Sequence, residues 1–218
     1  MPTSLPTHLV MSYLDLRKSI GYIGLLLPLA LWVTNYFMSG ATNILDSISA
    51  YYHSSARNVF VAALAAIAVF AFAYRGYDWQ DNLAGDIVAL ACLGVAFFPT
   101  STANPNPDAN PIIGLIHILA AITFFLTIAY FCLVLFPKTK PGIPMTVQKR
   151  VRNKIYKASG WVIIACLFGF ALYRYYLQSR VVALQDYQPV FWLETLALVA
   201  FGLAWLTKGE AIMADKSQ

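Results

Sequence analysis

Charge is what this sequence has least of. Lys, Arg, Asp and Glu together make up 11% of its 218 residues, against about 25% in an average soluble domain. That shortage, with 59% hydrophobic residues, excludes a soluble globular surface for a chain of this length. Cysteine is also scarce. Cys92, Cys132 and Cys166 each lie in an apolar stretch with no Cys-x-x-Cys spacing, so they read as small buried hydrophobes rather than redox or zinc cysteines. The three histidines are His8, His53 and His117, with none later in the chain. No nucleic-acid motif accompanies the net charge of +5, and the basic residues sit beside apolar runs, which points to lipid rather than nucleic acid.

What is present is apolar length. Six stretches stand out, at about 20–38, 58–74, 83–98, 111–136, 158–176 and 190–207. A helix rises ~1.5 Å per residue, so ~20 residues cross a hydrocarbon core ~30 Å thick. Unbroken apolar runs of this kind predict helices, because barrel strands alternate and are shorter. The expected fold is all-α: one domain, an integral membrane bundle of six transmembrane helices. Pro99, Pro111 and Pro137 mark helix ends, Asn104 to Asn110 reads as a turn-rich loop, and Pro28 is expected to kink the first helix. The N-terminus does not read as a cleaved signal peptide, because Arg17 and Lys18 come late and the run after them is long enough to span.

Lys and Arg set the orientation. Segment 138–157 holds Lys138, Lys140, Lys149, Arg150, Arg152, Lys154 and Lys157, whereas 100–110 holds no basic residue. The basic loop is therefore expected to be cytoplasmic and to touch anionic headgroups. With six crossings both termini are cytoplasmic too, in the plasma (inner) membrane. Arg57, Arg174 and Arg180 are exceptions on the outer side. Trp32, Trp79, Trp161, Trp192 and Trp205, with Tyr173, Tyr175 and Tyr176, are expected as interface anchors.

Ionisable residues inside membrane segments are costly and call for a partner. Asp46, Ser49, His53 and Arg57 recur at helical spacing and, on an α-helix, would share one face. His117 and Glu194 fall at similar depth in the fourth and sixth stretches. These six are the candidate ligand-binding residues, with Arg57 expected to pair with Glu194 or Asp46. Asp86 is expected near the cytoplasmic start of the third helix, within reach of Lys208 and Glu210.

Asp46-Ser47-Ile48-Ser49, followed by Ala56-Arg57-Asn58-Val59-Phe60, resembles the loop entering the second helix of DRAM/Sfk-type six-helix membrane proteins and their bacterial relatives. That resemblance implies the helix plan and no enzymatic chemistry. Ser49-x-x-x-His53 is similar to an element of the alkaline ceramidase and adiponectin-receptor zinc hydrolases, whose late His-x-x-x-His pair is absent here. Three readings stay open. The first is a membrane protein that binds or senses a lipid or small ligand without catalysis. The second is a small transporter or channel, since a pore on the axis of a homo-oligomer leaves no trace in one chain. The third is a metal-dependent lipid hydrolase using His53, His117 and Glu194 with Asp46 as base; metal and cofactor are otherwise unknown.

Overall fold

The computed structural model describes residues 12–101, 110–139, 142 and 144–213. Among these residues the chain is all-helical. The helices are α1 Tyr13–Ser39, α2 Arg57–Ala73, α3 Trp79–Phe97, α4 Pro111–Tyr130, α5 Val147–Leu172 and α6 Pro189–Lys208. A π turn, Phe131–Leu135, prolongs α4, and another, Tyr173–Leu177, prolongs α5. Short 3-10 helices, Ser49–His53 and Val182–Tyr187, precede α2 and α6. His8 and most of the Asn104–Asn110 turn region lie outside the described residues.

Five of the helices, α1 and α3 to α6 with their π turns, are long and apolar enough to cross a membrane. α2 is equally apolar but has 17 residues, or roughly 25 Å of rise. The short helix is therefore the second and not, as the run lengths implied, the third. α3 gains a turn because Asp78 caps it, its side chain accepting from the N–H groups of Gln80 and Asp81.

The same mechanism lengthens two other helices past their apolar runs. Ser12 accepts from the Asp15 N–H, so α1 begins at Tyr13 and carries Arg17 and Lys18 on helical turns. Thr146 accepts from the Lys149 N–H, so α5 begins at Val147. Most of the expected basic loop is thus helix. Hydropathy registers only the part of a helix that needs hydrocarbon, and capped polar turns continue beyond it. α1 runs unbroken through Pro28, which is buried within it.

Each helix packs on its chain neighbours, and α6 closes the ring by packing along α1. Glycines allow that closure. A Cβ on Gly21 would sit 2.8 Å from the Leu206 backbone nitrogen, and one on Gly202 would sit 2.8 Å from the Gly21 carbonyl oxygen. Close backbone approach of this kind supplies van der Waals contact where apolar surroundings give no hydrophobic drive. α4 and α5 touch where a Cβ on Gly160 would meet Leu133 and Cys132.

The ends of the bundle differ in charge. Arg17, Lys18, Arg75, Lys138, Lys149, Arg150, Arg152, Lys154, Lys157 and Lys208 lie at one, called here the basic end; Arg57, Arg174 and Arg180 lie at the other, the far end. Near the basic end an aromatic cluster fills the core. Trp205 is 1% exposed and its ring lies 5.3 Å from Tyr74, 5.6 Å from Phe131, 5.3 Å from Phe136 and 6.3 Å from Phe201. Trp205 is therefore a core residue and not an interface anchor, unlike the exposed Trp79, Trp161 and Trp192; Tyr173 is likewise buried. Spacing gives the depth of an aromatic residue, and rotation about the helix decides whether it faces lipid.

Candidate functional site

At the far end, α4, α5 and α6 enclose a cavity of about 400 Å³. The segment between α1 and α2 forms part of its mouth. Residues 46–48 are irregular, and Ser49–His53 is a single 3-10 turn. The α-helical face expected for Asp46, Ser49, His53 and Arg57 does not exist. Asp and Ser side chains compete for backbone hydrogen bonds and favour turns over helix interiors, and here the Ser47 hydroxyl accepts from the Ala50 N–H at 2.9 Å.

Hydrogen bonds fix this segment against α6. Glu194, partly buried on α6, accepts from the Ile48 N–H through Oε2 at 2.6 Å. The Asp46 carbonyl accepts from the Phe191 N–H at 3.1 Å, in the first turn of α6. The carboxylate thus finds a main-chain donor, not an arginine. Arg57 turns away: its guanidinium lies over the Tyr52 ring at 4.3 Å and donates to the Tyr52 hydroxyl at 2.6 Å. The expected pairing of Arg57 with Glu194 or Asp46 is not formed. A planar cation stacks readily on a neighbouring ring, and Tyr52 lies closer along the chain than either acid.

Both described histidines hold the chain that leaves α3. His117, buried on α4, donates from Nδ1 to the Phe98 carbonyl at 2.7 Å. His53 donates from Nε2 to the Thr100 carbonyl at 2.8 Å. A carbonyl can only accept, so each bond fixes which ring nitrogen carries hydrogen. These carbonyls follow the last turn of a helix and lack intrahelical partners, and the imidazoles supply them.

Asp46, Ser49, His117 and Glu194 line the cavity, whereas His53 and Arg57 do not. Arg174, Gln178, Gln185 and Gln188 complete the polar mouth, and the Arg174 guanidinium donates to the Gln178 side-chain oxygen at 2.6 Å. Gln188 holds φ 44, a left-handed backbone uncommon without glycine. Deeper in, the walls are Ile118, Ala121, Ile122, Phe125, Leu167 and Phe170. Ile118 and Ile122, both on α4, are themselves exposed.

Sequence reasoning missed Arg174 and the glutamines. A signal existed for the arginine, which is an exception to the charge asymmetry between the two ends. Among the described residues no group of three His, Cys, Asp or Glu side chains comes together to hold a metal ion. The His53, His117 and Glu194 site needed by a hydrolase is therefore not assembled among the described residues, and His53 stays outside the cavity that His117 and Glu194 line. Asp86 does not meet Lys208 or Glu210: it lies 3.6 Å from Arg75, and Glu210 lies 3.6 Å from Arg152. The chain matches no protein-family model, no curated protein and no solved structure.

Proposed function

We propose that this is a six-pass protein of the plasma membrane, with both termini cytoplasmic, that holds an amphipathic lipid or small ligand in the far-end cavity without catalysis. The cavity carries the reading. Its volume, about 400 Å³, lies within the roughly 300–1,000 Å³ of ordinary ligand sites. It joins an apolar wall from α4 and α5 to a polar mouth with one cation, Arg174. An acyl or isoprenoid chain fits the wall, and a polar or anionic head fits the mouth. In this reading such a ligand enters from the bilayer past the exposed Ile118 and Ile122.

Absence of catalysis is inferred from the hydrogen bonds. Glu194 and His117 are engaged with main-chain groups and act as architecture. The sixth crossing is assigned to α2. Its 17 residues span with local thinning of the bilayer, and the resemblance to DRAM/Sfk-type proteins favours the same plan.

The experiment is to purify the protein in mild detergent and identify retained small molecules by native mass spectrometry. Ala121→Trp, which fills the cavity, is expected to abolish the retained species while the protein stays folded. Equal occupancy in the wild type and in Ala121→Trp overturns the reading.

A further inference from the structure

A second pocket, of about 270 Å³, lies at the basic end, where the ends of α1, α4, α5 and α6 meet. Its lining includes Arg17, Lys138, Lys149, Arg152 and Lys208, against one carboxylate among the described residues, Glu210. This concentration of cations is not a solvated surface. Arg152 is 7% exposed and Lys208 is 9% exposed.

Three of the cations have partners in the protein. Lys138 bonds Asp78 at 2.8 Å and Asp81 at 3.2 Å. Lys149 donates to the Phe136 carbonyl at 2.8 Å. Arg152 donates to the Met213 carbonyl at 3.2 Å and lies 3.6 Å from Glu210. The other two are satisfied by aromatic faces alone. Lys208 Nζ sits 5.4 Å from the Tyr77 ring centre and 5.1 Å from that of Phe136. The Arg17 guanidinium sits over Tyr13 at 4.4 Å and Tyr74 at 5.5 Å. Among the described residues neither forms an ion pair, and the buried Arg17 Nε has no hydrogen-bond partner.

Rings offset part of a cation's lost hydration but accept no hydrogen bond along its N–H directions. The C-terminal carbonyls of α6 favour a cation at Lys208, yet they do not explain a second under-bonded cation beside it. Like charges gathered in a half-dry pocket repel one another, and the arrangement is stable when a polyvalent anion completes it. Phosphate suits this set. It offers more than one negative charge and several acceptor oxygens, matching a forked guanidinium and a compact ammonium together. The α5 N-terminus, with Thr146 in the lining, adds a favourable dipole.

We propose that the basic-end pocket binds a phosphate group, with Lys208 and Arg17 as its direct ligands and Lys149 and Arg152 as flanking charges. Two sources share this chemistry: the headgroup of a phosphomonoester lipid and a free phosphate-bearing solute. The proposal is independent of the far-end cavity and its ligand.

The test uses full-length protein in an uncharged detergent, titrated with dioctanoyl phosphatidic acid, with inorganic phosphate and with dioctanoyl phosphatidylcholine as control. Binding is read by native mass spectrometry and by the ligand-induced rise in melting temperature. Phosphatidic acid, or phosphate, is expected to saturate while phosphatidylcholine does not. Lys208→Met and Arg17→Gln should each weaken binding by about tenfold or more. The double variant Arg150→Ala/Lys154→Ala, which removes exposed cations outside the pocket, should change it by less than about twofold. Saturation by phosphatidic acid alone assigns a lipid headgroup, and saturation by inorganic phosphate as well assigns a solute. Lys208→Met removes an under-bonded buried charge and should melt no lower than wild type without ligand. Should it fail to fold, Arg17→Gln carries the test. No saturable binding by either phosphate probe, an equal loss in the Arg150/Lys154 control, or unchanged affinity in both pocket variants overturns the proposal.

Discussion

The two ends of the bundle treat ionisable side chains in opposite ways. At the far end Glu194, His117 and His53 are each satisfied by a backbone group, so the acid and the imidazoles act as fasteners between helices and loops. The apolar walls of the cavity are left to meet a ligand. At the basic end two cations lack a hydrogen-bonding partner among the described residues: Lys208 and Arg17 rest on aromatic rings, and the walls are secondary. A polar residue within a membrane protein is therefore not by itself a binding residue. What distinguishes the two cases is whether the fold has already supplied the hydrogen bond.

The sharpest way to break the comparison is to show that the ends are not on opposite sides of the membrane. Asn110→Cys at the far end should react with an impermeant maleimide applied from outside, and Lys154→Cys should not. Cys92 and Cys132 are buried in the core, and Cys166, which lines the far-end cavity, is replaced by serine in both labelling variants. The reverse labelling pattern would invert the assignment of outside and cytoplasm.

Next in size is Trp205→Ala. Emptying a fully buried indole site costs about 3–5 kcal/mol, read as a fall in thermal stability in detergent. Because the cluster lies near the basic end, phosphate-probe binding should weaken while retention of the far-end ligand persists in the protein that remains folded. Loss of both together would show that the ends are not independent.

Glu194 tests whether the far-end acid is a fastener. Glu194→Ala leaves the Ile48 N–H without its acceptor, and an unsatisfied buried donor costs about 1–3 kcal/mol. Glu194→Gln keeps an acceptor and should recover most of that stability. If Glu194→Gln is as damaging as Glu194→Ala, the negative charge matters in itself and the acid belongs with the ligand.

The smallest effect concerns Asp78, outside the spans. The hydrogen bond from Lys138 holds its carboxyl down at about 2. A carboxyl depressed on folding contributes stability above its unfolded value near 3.8, and that contribution is lost as pH falls toward 2. The difference between wild type and Asp78→Asn should therefore be constant from pH 5 to 7 and vanish in acid. A difference that persists below pH 2 would mean that Asp78 acts through its cap on α3 alone.

The helices themselves were plain in the sequence, because an apolar run long enough to span has few alternatives to helix in hydrocarbon. Their polar extensions are less so: Arg17 and Arg152 lie beyond the apolar runs, on helical turns that Ser12 and Thr146 cap. The 46–57 segment misled in the other direction. Helical spacing of Asp46, Ser49, His53 and Arg57 is real, but serine hydroxyls at Ser47 and Ser54 bond the local backbone in turns instead.

By itself the sequence determined where the apolar helices run, how far along its helix each polar residue lies and which end carries the positive charge. All three follow from transfer free energies that are local along the chain. Tertiary structure decided rotation and neighbours: that Trp205 faces the core, that Glu194 meets Ile48 from far along the chain, and that Lys208 and Arg17 share one pocket. These depend on which faces of six helices close into one ring, and that closure turns on glycines such as Gly21 and Gly202, whose meaning appears only when another backbone lies against them.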